Sequence, residues 1–291
     1  MYNYAPFLKF KQNEIQAVFS IYPEAQEFTL PLFDIPKDKR QDSELDILSR
    51  LSKGEKQLAA HSKKIPNLNF FIDNYDLDDS VLLGGAQQYR YILDELKAYN
   101  IIPVVAFDRA PDHNVAAIEH CKNKCKWLGI RLQSEDFQSF NLLKPKLAKV
   151  LDEATNAGVT KTYLFFDCRL IEKQGDVDDL KASIEKFYNQ CSQLFAITHY
   201  IVVGSVIPAN ITKLMKTKTT MTVERLEDNL WRKLIVTPAL SEINYGDYGV
   251  VSPEFSEADL PVELMSKFMA PKVFYTIKGF FYAERGGQFQ A

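Results

Sequence analysis

Four apolar runs in this chain break on the same residue type: "LPLFDIP" at Asp34, "NFFIDNY" at Asp73, "PVVAFDR" at Asp108 and "YLFFDCRLI" at Asp167. Runs such as "YLFFD" and "VVAFD" are apolar at successive positions, so a strand formed from them needs cover on both faces, as parallel strands have. Between the runs lie longer segments with apolar residues at helical spacing, among them "DSELDILSRLSKGEKQLAAHS" and "DVDDLKASIEKFYNQCSQLF". That alternation predicts strand–helix units repeated around a parallel sheet.

The strands expected on this basis are "APFLKF", "FTLPLFDI", "NLNFFID", "IIPVVAFD", "GIRLQ", "TYLFFD", "HYIVVGS", "YGVVS" and "VFYTIKGFFYA". Eight or nine strands in this rhythm predict one (βα)8 barrel domain over residues 1–291, and an open doubly wound sheet is the alternative. Two closures fit: "APFLKF" opens the barrel and "YGVVS" closes it, or "APFLKF" is an extra element and "VFYTIKG" is the eighth strand. Helix limits follow from local chemistry. Asp176 can accept backbone N–H bonds at the start of "DVDDLKASIEKF", Asn156 and Gly158 suit the turn after "LAKVLDEAT", and Pro145 suits a first turn. Residues 205 to 255 carry Pro208, Pro238 and Pro253 with a polar "TKLMKTKTTMT", the pattern of a binding loop or lid. The chain stops at "ERGGQFQA" straight after a strand-like segment, which predicts a missing carboxy-terminal piece.

With 46% hydrophobic and 25% charged residues, the chain can bury a large core. A net charge of −3 gives no reason to expect general affinity for nucleic acid or anionic membrane. No apolar stretch approaches a membrane span, and "MYNYAPFLKFKQNEIQ" lacks the basic-then-apolar pattern of a signal peptide. Four cysteines, Cys121, Cys125, Cys168 and Cys191, suit reduced thiols, so the expectation is a cytoplasmic protein.

In a parallel barrel the carboxyl ends of all strands share one face, so Asp34, Asp73, Asp108 and Asp167 are expected to form a ring there. Lys9, Arg109, Arg131, Gln133 and Arg169 fall beside them. Each acid alone also suits a loop cap. As a set, crowded carboxylates need a cation, either a neighbouring arginine or a divalent ion such as Mg2+ or Mn2+, with Asp34 and Asp167 the expected ligands. "VERLEDNLWRKL" reads as an amphipathic cover helix, or else brings Arg225 and Glu227 to the site. "NYGDYGVV" aims Asp247 or Tyr248 from a tight turn, and "AERGG" offers Arg285 to an anion. His113 follows "DRAPD" and suits a loop or the barrel mouth. "EHCKNKC" places His120, Cys121 and Cys125 together without a second pair of zinc ligands. No Walker A loop, GxGxxG, HExxH or GxSxG pattern occurs.

The opening "YAPFLKFKQNEIQAV" with "PLFDIP", then "GIRLQSEDF", "FFDCR", "VERLEDNLW", "YGDYGVVSP" and "ERGG", resembles in order the blocks of the phage beta-protein family, over nearly the whole chain. Lys9, Lys11, Glu14, Asp34, Arg131, Asp167, Arg225, Glu227, Asp247, Tyr248 and Arg285 match its pattern. Members run on past the arginine–glycine block, a departure here. The resemblance implies a phage or phage-defence setting, with a protein partner in such a complex as one expectation, and names no activity.

Two functions are carried forward. One is a metal-dependent hydrolase of phosphodiesters or nucleotides, using Asp34, Asp73, Asp108, Asp167 and Glu227, with substrate held by Lys9, Lys11, Arg109, Arg131, Arg169, Arg225, Asp247, Tyr248 and Arg285. The other is a binding module or scaffold that recognises a nucleotide or phage protein without turnover.

Overall fold

The computed structural model describes residues 3–38, 41–254 and 270–287. Eight parallel strands close a barrel: β1 Tyr4–Lys9, β2 Leu32–Asp34, β3 Asn69–Asp73, β4 Asn100–Ala106, β5 Trp127–Gln133, β6 Lys161–Leu170, β7 His199–Ser205 and, skipping β8 Thr219–Glu224, β9 Asn244–Asp247. β9 pairs in parallel with both β7 and β1, so the sheet is closed and not the open doubly wound alternative. β8 instead joins β10 Lys272–Ile277 and β11 Phe280–Arg285 in an antiparallel sheet of order β10-β11-β8.

Both expected closures need correction. "APFLKF" does open the barrel, but the closing strand is Asn244–Asp247; "YGVVS" forms the turn beyond it, and "VFYTIKGFFYA" is an antiparallel hairpin outside the barrel. The "TKLMKTKTTMT" region is likewise more ordered than a loop, since it runs through a short 3-10 helix, Ile211–Lys213, into β8. The last residues of "ERGGQFQA", 288–291, lie outside the described residues.

Helices α1 Gln12–Val18, α2 Pro23–Gln26, α3 Glu44–His61, α4 Gln88–Glu95, α5 Pro111–Asn123, α6 Ser134–Gln138, α7 Phe140–Asn156, α8 Gln174–Cys191 and α9 Leu226–Ile235 occupy the connections. Gly158 turns left-handed (φ 77°) after α7, as expected. Pro145 sits in the second turn of α7 and not the first, because the helix begins at Phe140. Asp176 accepts backbone N–H bonds at the start of α8, as expected, from the third position of the helix, where one carboxylate oxygen accepts from the N–H groups of Glu172 and Lys173. No helix among the described residues is long and apolar enough to cross a membrane.

Alternation along the strands sorts the core into two parts. Phe7, Leu32, Phe71, Val104, Phe165, Val203 and Tyr248 fill the barrel interior, while Phe33, Ile72, Val105, Leu132, Phe166 and Val202 face the helices. At the closure, Gly246 lies between Ala5 of β1 and Val203 of β7. A Cβ there would come 2.7 Å from the Ala5 carbonyl oxygen and 2.9 Å from a Val203 methyl, so the last strand fits only without a side chain. Gly246→Ala is therefore expected to cost about 1–3 kcal/mol, read from chemical unfolding, as overpacked cores do.

Candidate functional site

Register brings the acids together. Lys9, Asp34 and Asp73 are lateral neighbours on β1, β2 and β3, and Gln133 is the neighbour of Asp167 on β5 and β6. Arg131 starts two residues before Gln133, one layer deeper, and its length carries the guanidinium up into the plane of the carboxylates. Fully buried, it donates from Nη1 to Asp34 (2.8 Å) and Asp73 (2.8 Å), from Nε to Asp167 (2.9 Å), and from Nη2 to the Tyr248 hydroxyl (3.0 Å). The Tyr248 hydroxyl in turn donates to Asp167. Phe7 lies on one side of the guanidinium, 5.0 Å from its ring centre, and Tyr75 on another at 4.2 Å.

A second tier surrounds this knot. Arg109 donates to both oxygens of Asp73 at 3.3 Å and to the Tyr75 carbonyl at 3.0 Å. Lys9 pairs with Asp76 at 2.5 Å and stands 3.9 Å from Asp34. Arg169 takes a left-handed backbone (φ 54°) at a bulge in β6, and its N–H donates to Asp167. For a residue with a Cβ that conformation carries strain of about 1–3 kcal/mol, of the kind found at functional positions. The Arg169 and Arg109 guanidinium carbons lie 4.5 and 4.8 Å from the Tyr75 ring centre, so one tyrosine contacts three cations. Among the described residues, buried Nε of Arg109, Nη1 of Arg169 and Nε2 of Gln133 have no hydrogen-bond partner.

Burial alone would raise the Asp73 carboxyl, but Arg109 and Arg131 outweigh it and hold the group at about 2. For Asp34 burial prevails over Arg131 and Lys9, and its carboxyl is raised; its Oδ2 has no hydrogen-bond partner among the described residues. The pair expected to hold Mg2+ or Mn2+, Asp34 and Asp167, share Arg131 instead. No group of three or more His, Cys, Asp or Glu among the described residues is arranged to hold a metal ion.

The other expected site residues lie elsewhere. Asp108 falls in the loop two residues past the end of β4, is exposed, and stands 3.9 Å from Arg109. Lys11 pairs with Asp38 on the surface. Arg285 donates to the Met215 carbonyl beside the accessory sheet. His113 is buried in α5 against the Val104 carbonyl and the Tyr89 ring, not at the mouth.

Arg225, Glu227 and Asp247 form a separate cluster outside the barrel wall. Arg225 donates to Glu227 Oε1 (2.9 Å), Asp247 Oδ2 (2.8 Å) and the Tyr245 hydroxyl (2.6 Å), while Tyr4 donates to Asp247 Oδ1 (2.9 Å). Asp247 and Tyr248 are adjacent, so strand alternation sends one outward and the other into the barrel. Burial pushes the Glu227 carboxyl up to about 7 against its own backbone N–H and Arg225, and its Oε2 has no hydrogen-bond partner among the described residues. Tyr75, Tyr4 and Tyr245 were not among the expected site residues. For Tyr75 the available signal was its place two residues past Asp73 in "FFIDNYD", which keeps it on the inner side.

Two stability predictions follow from these charges. Arg131→Met leaves three carboxylates without their shared cation, so unfolding titrations are expected to show a loss of about 3–5 kcal/mol near pH 7. The gap to wild type narrows toward about pH 4, because protons relieve the variant's stranded Asp34 and Asp73 there, while Asp73 in wild type keeps its charge until pH nears about 2. Glu227 behaves oppositely: its folded value lies above the unfolded one, so its stabilising contribution is complete below about pH 4.5 and is lost as pH rises through about 7. Glu227→Gln is expected to flatten that slope and to gain about 2–3 kcal/mol on wild type near pH 8, measured by the same titrations.

The family model described as Beta protein matches residues 4–291. A search of curated proteins finds no match.

Proposed function

The chain belongs to the Beta protein family, and from that premise we propose that its barrel is a recognition module whose mouth binds the phosphate of a nucleotide or phosphodiester without hydrolysing it. The observation that carries this reading is the set of unpartnered donors. Arg109 Nε, Arg169 Nη1 and Gln133 Nε2 are buried without an acceptor among the described residues, and all three residues contact Tyr75. A buried donor left unpaired costs about 1–3 kcal/mol, which a ligand rich in acceptor oxygens would recover. Lys9 stands at the edge of the same group.

Hydrolysis is the less favoured reading because the acids are already engaged. Metal-assisted attack needs carboxylates free to hold an ion, and an ion between Asp34 and Asp167 would have to take the place of the Arg131 guanidinium. General acid–base work needs a group that titrates near the working pH; Asp73 is held at about 2, and Asp34, though raised by burial, is held by Arg131 through Oδ1. The phage-defence setting enters only as the context that the family resemblance implies, and a protein partner in it would meet the barrel through other surfaces.

The test is calorimetric titration with AMP in the presence of EDTA, followed by assay of the recovered AMP and of bis(p-nitrophenyl) phosphate turnover with Mg2+ or Mn2+. Saturable binding is expected, with Arg169→Met and Gln133→Leu each weakening it by roughly tenfold or more and neither ester consumed. Binding that appears only with metal, or metal-dependent turnover abolished by Asp34→Asn, would overturn the reading in favour of the hydrolase.

A further inference from the structure

The cluster outside the barrel wall borders a cavity of about 520 Å3, lined by Tyr4, Arg225, Trp231, Tyr245, Asp247 and Phe281 among others. That volume lies in the range of small-molecule sites, which combine apolar walls with a few convergent polar groups. Here the walls are aromatic and come from three separate parts of the fold: Tyr4 and Tyr245 from adjacent barrel strands, Trp231 from α9, and Phe281 from the accessory sheet. Tyr4 and Tyr245 lie nearly parallel, with ring centres 5.9 Å apart and 11° between planes, and Trp231 packs against Tyr245 at 5.5 Å. Such surfaces favour a flat ring over a branched aliphatic group.

The polar wall decides the charge of the occupant. Arg225 is fixed by Glu227, Tyr245 and Asp247 through Nε and Nη2, and its guanidinium lies 5.0 Å from the Phe281 ring centre. Its Nη1 makes no hydrogen bond among the described residues. One donor atom, with two N–H bonds, is therefore on offer, on a cation already countered by Asp247 and Glu227. An anion would meet those acids behind the arginine, and a cation would meet the arginine itself. A neutral acceptor meets neither conflict.

We propose that this cavity is a second ligand site, distinct from the mouth, for an uncharged planar heteroaromatic ring bearing a carbonyl, the chemistry of a nucleobase or a ring amide. The ring stacks among Trp231, Tyr245 and Phe281, and its carbonyl accepts from Arg225 Nη1.

Three isosteric probes that differ in charge test it: nicotinamide, nicotinate and 1-methylnicotinamide. The chain has two tryptophans, Trp127 and Trp231, so protein labelled with 5-fluorotryptophan gives two fluorine resonances, assigned with Trp231→Phe. The expected result is a saturable shift of the Trp231 resonance by nicotinamide, with nicotinate and 1-methylnicotinamide weaker by roughly tenfold. Val250, which lines the cavity and is 46% exposed, can be enlarged at little cost to the fold, and Val250→Tyr is expected to block the shift. Arg169→Met at the mouth is expected to leave it unchanged, which separates this site from the reading above. Tightest binding by nicotinate, tightest binding by 1-methylnicotinamide, or no movement of the Trp231 resonance at tens of millimolar probe would each overturn the proposal.

Discussion

One guanidinium shared among three carboxylates organises the barrel mouth. Arg131 binds acids on β2, β3 and β6 and the tyrosine after β9 while it belongs to β5, so a single side chain ties the closed sheet across its own axis. An arrangement this deep is stable only if nearly every charge has a partner, because a buried ion costs several kcal/mol to strip of water. Lysine would not serve. A planar group can donate in several directions while its faces rest on Phe7 and Tyr75, whereas an ammonium is a compact point charge that keeps its water more strongly.

The same period of two that gathers the acids also divides the site. Sequence reasoning gave Asp247 or Tyr248 to the site from a tight turn in "NYGDYGVV", and the closing strand ends at Asp247. Its side chain points outward, however, and the inward position belongs to Tyr248. The consequence is two clusters with one shared wall: an inner one centred on Arg131 and an outer one centred on Arg225. Each sets one arginine among acids and aromatic rings, and each leaves buried polar atoms unpaired.

Much of the fold was legible because parallel strands and amphipathic helices leave strong periodic traces. Asp34, Asp73 and Asp167 were found by the strand-end rule. Asp108 misled because β4 stops at Ala106, two residues short of the acid. "YGVVS" looked like a strand through its valines, yet closure needs a residue without a side chain against Ala5, and "NYGD" supplies Gly246 there. "VFYTIKGFFYA" carried a signal that was read as one strand: Lys278 and Gly279 form a tight turn, with Gly279 at φ 77°, and the second flank, Phe280–Arg285, alternates exposed and buried residues as a half-exposed antiparallel strand does. What sequence could not show was which cation meets the acids, since Arg131 sits a layer below them and reaches up by side-chain length alone.

Charge and hydrogen bonding at the mouth lead to different conclusions, and the difference bears on what the site selects. Lys9, Arg109, Arg131 and Arg169 face Asp34, Asp73, Asp76 and Asp167, so the cations are matched by acids. Donors are not matched: among the described residues, three buried N–H-bearing atoms, on Arg109, Arg169 and Gln133, still lack acceptors. A mouth of balanced charge on a chain of net −3 exerts little long-range pull on an anion. Recognition there must rest on short, directional hydrogen bonds and on the Tyr75 face. Such a site discriminates by the placement of acceptor atoms more than by total ligand charge, and its affinity should depend less on ionic strength than that of a simple basic patch.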